Sequence, residues 1–303
     1  MTVLPGVPAS VADFDALVVQ RIVLPAPTRT FLKHAAAGTV RTVVELDDDL
    51  WNLDPSNRQA ADFYTPEMLR NLERCCEAAD AVTVTTDSLA ERVARWSGNV
   101  HVVPNQVPAW LLEHKRPRNP DVVTIGWRGG TSHARDFGEI AKPLRRFLQH
   151  PDQRGRVEFH SMGMDHTPRV ASRHTTLRHT GWHTNVADFL RAVDFDLSVV
   201  PLRTSVFNQS KSDLALVEMA ALGIPTVTSD TGPYASAHGG PNVACSTPAQ
   251  WEDALTAFTT DDSYRRQVGK AAKEWAATRT LEGNAWRWEQ AWLGDARHEQ
   301  QAA

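Results

Sequence analysis

Short runs of β-branched and apolar residues alternate along the chain with stretches of helical periodicity. Residues 15–24, 42–47, 81–86 and 101–103 read as strands, and helical patterns lie between them near 26–37, 66–79 and 87–96. Residues 121–127, 156–160, 175–179, 195–202, 225–229 and 242–245 repeat the strand signal, with helices near 135–149, 185–193 and 211–222. From Thr247 onward the pattern is helical. Strand–helix alternation of this kind predicts parallel sheets with helices on their faces. Residues 113–121 break the rhythm: Glu-His-Lys-Arg-Pro-Arg-Asn-Pro-Asp is charged, holds two prolines and has no period. It reads as a linker between a first domain, 1–118, and a second, 119–303. Two such units imply a cleft, and in open parallel sheets ligands sit beyond the carboxyl ends of the strands.

Composition narrows the class. The chain has 303 residues, 42% apolar and 22% charged, with a formal charge of -4. Bulk electrostatics therefore give no pull toward nucleic acid or membrane. Lys115, Arg116 and Arg118, and Lys142, Arg145 and Arg146, form local basic clusters that read first as solvated faces. No apolar run reaches the length of a membrane span, and the start lacks the pattern of a secretory leader. Cys75, Cys76 and Cys245 make neither a disulfide framework nor a zinc set. The expectation is a reduced, cytoplasmic protein. Trp251, Trp275, Trp286, Trp288 and Trp292 crowd the C-terminal stretch and read as a helical cap packed on the core.

Three stretches carry candidate chemistry. In the first, Gly126-Trp-Arg-Gly-Gly-Thr-Ser-His133, a strand ends in a turn containing Gly129 and Gly130. Such a turn lets backbone N–H groups approach an anion, with Arg128 and His133 as further donors. A purely steric need for glycine is the equal alternative. In the second, a polar loop with Asn208, Lys211 and Ser212 leads into the apolar helix of Leu214, Ala215, Leu216, Val217 and Met219, stopped by Gly223. Glu218 interrupts that helix. A carboxylate there needs a partner, either a structural arginine or solvent, or else a ligand. In the third, Asp47, Asp48 and Asp49 follow a strand. Asp47 and Asp49 match a DxD metal pattern, while a solvated turn is the simpler reading.

Together these stretches resemble the GT-B glycosyltransferases of the group-one, retaining type. The likeness rests on residues 79–90 and 99–105, on Ile125-Gly-Trp-Arg-Gly with His133 and Asp136, and above all on Phe207-Asn208, Lys211-Ser212, Glu218 and Ala221-Leu-Gly-Ile-Pro225. It implies two Rossmann-like domains facing across a cleft, with C-terminal helices, a nucleoside-diphosphate sugar as donor substrate, and no cofactor or metal. Glu218 would hold the ribose hydroxyls, and Arg128 and Lys211 would face the diphosphate. Trp182, beside Gly181, would lie near the base. Leu214 and Ala215 would offer backbone N–H groups, and His133 would meet phosphate or sugar. Two departures from the family stand out. The first member of its usual acidic pair falls on Ser210, and the first domain is short.

The implied reaction transfers a glycosyl group with retention and without an enzymic covalent intermediate. It needs charge stabilisation on the leaving diphosphate, for which Arg128, Lys211 and the helix start are suited. An inverting enzyme would instead need a base, with Asp47, Asp48 or Asp49 as candidates and Asp48 central among them. The acceptor stays open among a glycan, a lipid carrier, a protein and a modified nucleobase. Three alternatives remain: a non-catalytic GT-B module binding a glycan or partner, a DxD metal-dependent transferase using Asp47 and Asp49, and a nucleotide-sugar epimerase of GT-B shape.

Overall fold

The computed structural model describes residues 1–55 and 57–294. Packing divides the chain into two compact units. The first comprises Met1–Asn105, Gln209–Ser212 and the described chain from Asn284; the second comprises Gln106–Asn208 and Asp213–Gly283. No helix among the described residues is long and apolar enough to cross a membrane.

The first unit is a parallel sheet in the order β1 (Ala16–Gln20), β2 (Arg41–Leu46), β3 (Ala81–Val84), β4 (Val100–Val102). Register is set by pairs such as Val18 with Val43 and Val82 with Val100. The connecting helices start where the sequence supplies caps: Thr65 accepts from Met68 N at 3.3 Å, and Thr86 from Leu89 N at 3.2 Å. Phe31, Val44, Leu46, Leu72 and Leu89 fill the core. Cys75 and Cys76 are buried with them as free thiols, and burial pushes their thiols up to about 11 and about 12. The first strand is shorter than its apolar run. Arg21 turns the chain at φ 47°, so Ile22 and Val23 enter the core beyond the strand's end.

The second unit is a six-stranded parallel sheet in the order β10-β9-β8-β5-β6-β7. These strands are β5 (Val123–Gly129), β6 (Val157–Gly163), β7 (Thr176–Thr180), β8 (Leu197–Val200), β9 (Thr226–Ser229) and β10 (Val243–Cys245). The strand order reverses between β5 and β8. The helices Gly138–Gln149 and Pro248–Thr260 cover one core, with Phe137, Phe159, Trp251 and Phe258 inside it.

Packing departs from the sequence-based boundaries in three places. Residues 113–118 belong with the second unit, because Arg116 donates to Phe195 O and Arg118 Nε to Asp196 at 2.8 Å. Asp196 is 2% exposed and also accepts from Thr124 N at 3.1 Å. The unit boundary therefore falls after Asn105 rather than at 118. The helix expected over 211–222 is Leu214–Ala221. Gln209–Ser212 pack with the first unit, and the chain returns at Asp213, whose two oxygens take the Arg279 guanidinium at 2.9 Å each. The C-terminal cap is divided. Trp251 is buried in the second unit, whereas the chain from Asn284 packs with the first and leaves Trp286 exposed.

Candidate functional site

The reversal between β5 and β8 is where an open parallel sheet leaves room for a ligand, since the loops after the two strands diverge there. After β5 come Gly130 and the 3₁₀ turn Thr131–His133; after β8 come Pro201, Leu202 and Arg203. One side chain ties these loops together. Asp136, 4% exposed, accepts from His133 Nδ1 at 2.9 Å through one oxygen. Through the other it accepts from Arg203 N at 3.1 Å and Asn208 Nδ2 at 2.9 Å. Burial alone would raise the Asp136 carboxyl, but the bonds from His133, Arg203 N–H and Asn208 outweigh it and hold the group below the usual carboxylate range.

Arg128, the penultimate residue of β5, forms a buried ion pair with Glu218 of the Leu214–Ala221 helix. This explains the carboxylate in an otherwise apolar helix: its partner lies ninety residues earlier, on the sheet. Arg128 Nε is buried without a partner among the described residues. Tyr234, in the turn after β9, is buried near by, and burial pushes its phenol up.

The glycines differ in purpose. Gly126 lies inside β5, where a Cβ would overlap the Phe195 ring, so glycine there makes room for packing. Gly129 ends the strand, and its carbonyl accepts from Met164 N at 3.0 Å. A Cβ on Gly130 would meet Trp182 at an ordinary 3.5 Å. Trp182 stacks on Phe189 with 4.7 Å between ring centroids and stays 56% exposed, presenting a wide aromatic face beside the strand ends. Asn208 is buried, its amide nitrogen shared between Asp136 and Arg203 O. Leu214 and Ala215 occupy the first turn of the helix, where backbone N–H groups have no intrahelical partner.

Lys211, Ser212 and Asp48 lie in the first unit. Asp48 takes Lys211 Nζ at 3.1 Å and Arg21 at 3.3 Å. Asp47 pairs with Arg21, and the buried Asp49 with Arg92 at 3.3 Å and Asn52 at 2.8 Å. Asp47 and Asp49 thus face separate arginines, and among the described residues no three carboxylate, imidazole or thiol groups converge as a ligand set. Ser212 Oγ accepts from Asn105 at 2.8 Å. Ser210 is buried, its carbonyl taken by Thr86 and its hydroxyl 3.2 Å from that of Ser88. Glu45, at the end of β2, is raised by burial and then by Asp47.

Of the residues singled out in the sequence, Arg128, Gly129, Gly130, His133, Trp182, Asn208, Leu214, Ala215 and Glu218 all lie in the second unit, and Lys211 pairs with Asp48 in the first. Sequence reasoning missed what Asp136, Arg203 and Tyr234 do. The i, i+3 spacing of His133 and Asp136 placed both on one turn and was the available signal.

Comparison with solved structures agrees with this topology. An alpha-glucosyltransferase in complex with UDP superposes with a TM-score of 0.64 at 12% identity, covering 92% of this chain and 81% of that one. A trehalose-6-phosphate synthase, studied for glycosyltransfer with retention, gives 0.63 at 12% identity over 91% and 72%. An alpha-glucosyltransferase bound to UDP and a 13-mer DNA containing an HMU base gives 0.63 at 13% over 93% and 81%. The fold is GT-B. No protein-family model matches the chain, and no curated protein matches it in sequence. In these comparisons the likeness is one of fold, and it spans nearly the whole chain.

Proposed function

We propose that this chain is a glycosyltransferase that takes its sugar from a nucleoside-diphosphate donor, UDP-linked by analogy with its GT-B neighbours, and transfers it with retention to an acceptor hydroxyl. One observation carries the reading: a buried arginine with an unpartnered Nε, paired with a helix-borne carboxylate, at the point where the strand order of a parallel sheet reverses. Structures rarely leave such a donor unsatisfied, and a diphosphate supplies the missing acceptor.

In this reading Glu218 accepts from the ribose hydroxyls, Arg128 and His133 meet the diphosphate, and the N–H groups of Leu214 and Ala215 point at the same charge. Trp182 offers its exposed face to the base. As the glycosidic bond to the donor breaks, negative charge grows on the leaving diphosphate, and fixed cations stabilise it. Lys211 and Asp48 are the first unit's candidates for a part in the reaction. Asp47 and Asp49 are committed to arginines, so charge stabilisation falls to protein cations rather than to a metal held by that pair.

The test is a melting series with UDP, GDP, ADP and TDP, with and without EDTA, on the wild type and Glu218→Gln. A ligand at a hundred times its Kd adds about 2.7 kcal/mol, which raises Tm by roughly 4 °C at this size. One diphosphate should stabilise the wild type, EDTA should change nothing, and Glu218→Gln should lose the shift. If no diphosphate moves the melt, a non-catalytic binding module replaces this reading.

A further inference from the structure

The His133–Asp136 pair has a division of labour visible in its hydrogen bonds. One carboxylate oxygen accepts from His133 Nδ1, and the other accepts from Arg203 N and Asn208 Nδ2. A carboxylate has no proton to give when ionised, so Nδ1 must be the protonated nitrogen in both charge states of the ring. Nε2 is left as the ring atom that meets a ligand, and it has no partner among the described residues. The backbone holds the ring in place as well: His133 N donates to Gly130 O at 3.1 Å, and His133 O accepts from Phe137 N at 3.2 Å.

We propose that Asp136 is the positioning residue of the donor site, presenting His133 Nε2 to the donor's phosphates while holding the 203–208 loop against the same turn. The proposal rests on the donor reading above. It explains why a carboxylate sits beside a site meant for an anion: its charge is consumed by three donors, and what reaches the ligand is the Nε2–H of the charged ring, since the neutral ring would offer a phosphate only a lone pair there. The same arrangement, a carboxylate fixing the tautomer and aim of a histidine, orients histidines at metal and catalytic centres generally. The other ionisable groups around the pair are Arg128 and Tyr234, whose phenol senses both Arg128 and Asp136, together with Arg135, Arg203 and Arg169, which donates to Ala134 O at 2.7 Å.

Asp136→Asn separates the two roles. The asparagine oxygen still accepts from Arg203 N and Asn208, but its N–H₂ now faces Nδ1, which must turn acceptor. The experiment combines ring-nitrogen NMR of His133 in the free protein with UDP calorimetry across a pH series. His133→Gln supplies the titration of UDP itself. In the wild type Nδ1 should carry the proton, and UDP affinity relative to His133→Gln should fall about tenfold as the pH rises, the worth of one charge-assisted bond. Asp136→Asn should reverse the tautomer, weaken UDP about tenfold at low pH, and add nothing in a His133→Gln background.

An unchanged tautomer or pH profile in Asp136→Asn overturns the proposal, as do losses that add fully in the double variant; Asp136 then only supports the loop. His133→Gln changes a half-exposed side chain and keeps the test valid if Asp136→Asn melts early. Absence of UDP binding by the wild type at every pH removes the donor reading and the ligand role together, while the NMR still reports whether the pair exists.

Discussion

Arg128 on β5 and Glu218 on the Leu214–Ala221 helix neutralise each other inside the second unit. Removing one member of a buried pair strands the other charge, at about 3–5 kcal/mol. Glu218→Ala should lose stability of that order in urea unfolding. The double variant Arg128→Met, Glu218→Leu should recover most of it, because two apolar side chains replace both charges. Neither protein should be stabilised by UDP. A double variant as unstable as Glu218→Ala would show that the charges are not partners.

His166 gives the protein an acid-sensitive core. It is 0% exposed, stacked on Phe137 at 3.9 Å, and neither ring nitrogen finds a hydrogen-bond partner among the described residues. Burial, with Arg169 adding to it, lowers the imidazole to about 4. Between that value and the unfolded value of about 6.5, the unfolded chain binds a proton that the folded chain refuses. Stability from this group is complete above about pH 6.5 and drains away as the pH falls toward 4, by on the order of 2–3 kcal/mol. His166→Phe should flatten the urea-midpoint profile over that window. An equally steep profile in the variant would place the acid sensitivity elsewhere.

Asp196 fastens the charged segment that precedes the second sheet. Asp196→Ala leaves Arg116 half-paired and Thr124 N without its acceptor, and should cost about 3 kcal/mol. Trypsin should then cut after Lys115 or Arg118 faster than in the wild type; the Arg116–Pro117 bond resists it in both. Unchanged cleavage would mean that the segment is held by other contacts.

The aspartates after β2 should respond unequally. Asp47 and Arg21 are each about one-third exposed, so Asp47→Asn should cost no more than about 1 kcal/mol. Asp49 is buried, and Asp49→Ala should cost about 2–3 kcal/mol by stranding Arg92 and Asn52. Isothermal titration with UDP, with and without EDTA, should give one affinity for all these proteins. Equal loss of UDP binding in both variants, reproduced by EDTA, would instead mark a DxD metal site.

The sheets were legible because their strands are β-branched runs bounded by turns, and β5 through β10 all fall where such runs lie. Partners distant in sequence were not legible. Glu218 was visible as an anomaly in an apolar helix, but nothing local points to Arg128. The 113–121 segment has the composition of a solvated linker, and only the buried Asp196 reveals that two of its arginines are fastened. Residues 211–222 read as one helix, yet the helix begins at Leu214 because residues 209–212 pack with the first unit. Periodicity reports which face of a helix is apolar and not which sheet receives it, so the division of the C-terminal helices was invisible. Asp136 shows the same limit in small: its bond to His133 is one turn away, whereas its bond to Arg203 spans 67 residues.

The placement of β5 beside β8 also sets when the candidate site can exist. Its two loops come from strands separated in the chain by β6, β7 and two α-helices, and they are brought together by the pairing of Ile125 with Leu197 and Gly126 with Ser198 and by the bonds of Asp136 to Arg203 N and Asn208. Contacts of such long sequence separation form late, after the entropy of closing the intervening chain has been overcome. A nascent chain that has made β5, β6 and β7 has a sheet but only half of the candidate site. On the proposed donor reading, competence to bind a nucleotide arrives with the docking of β8, so ligand binding during refolding would time the completion of the second unit.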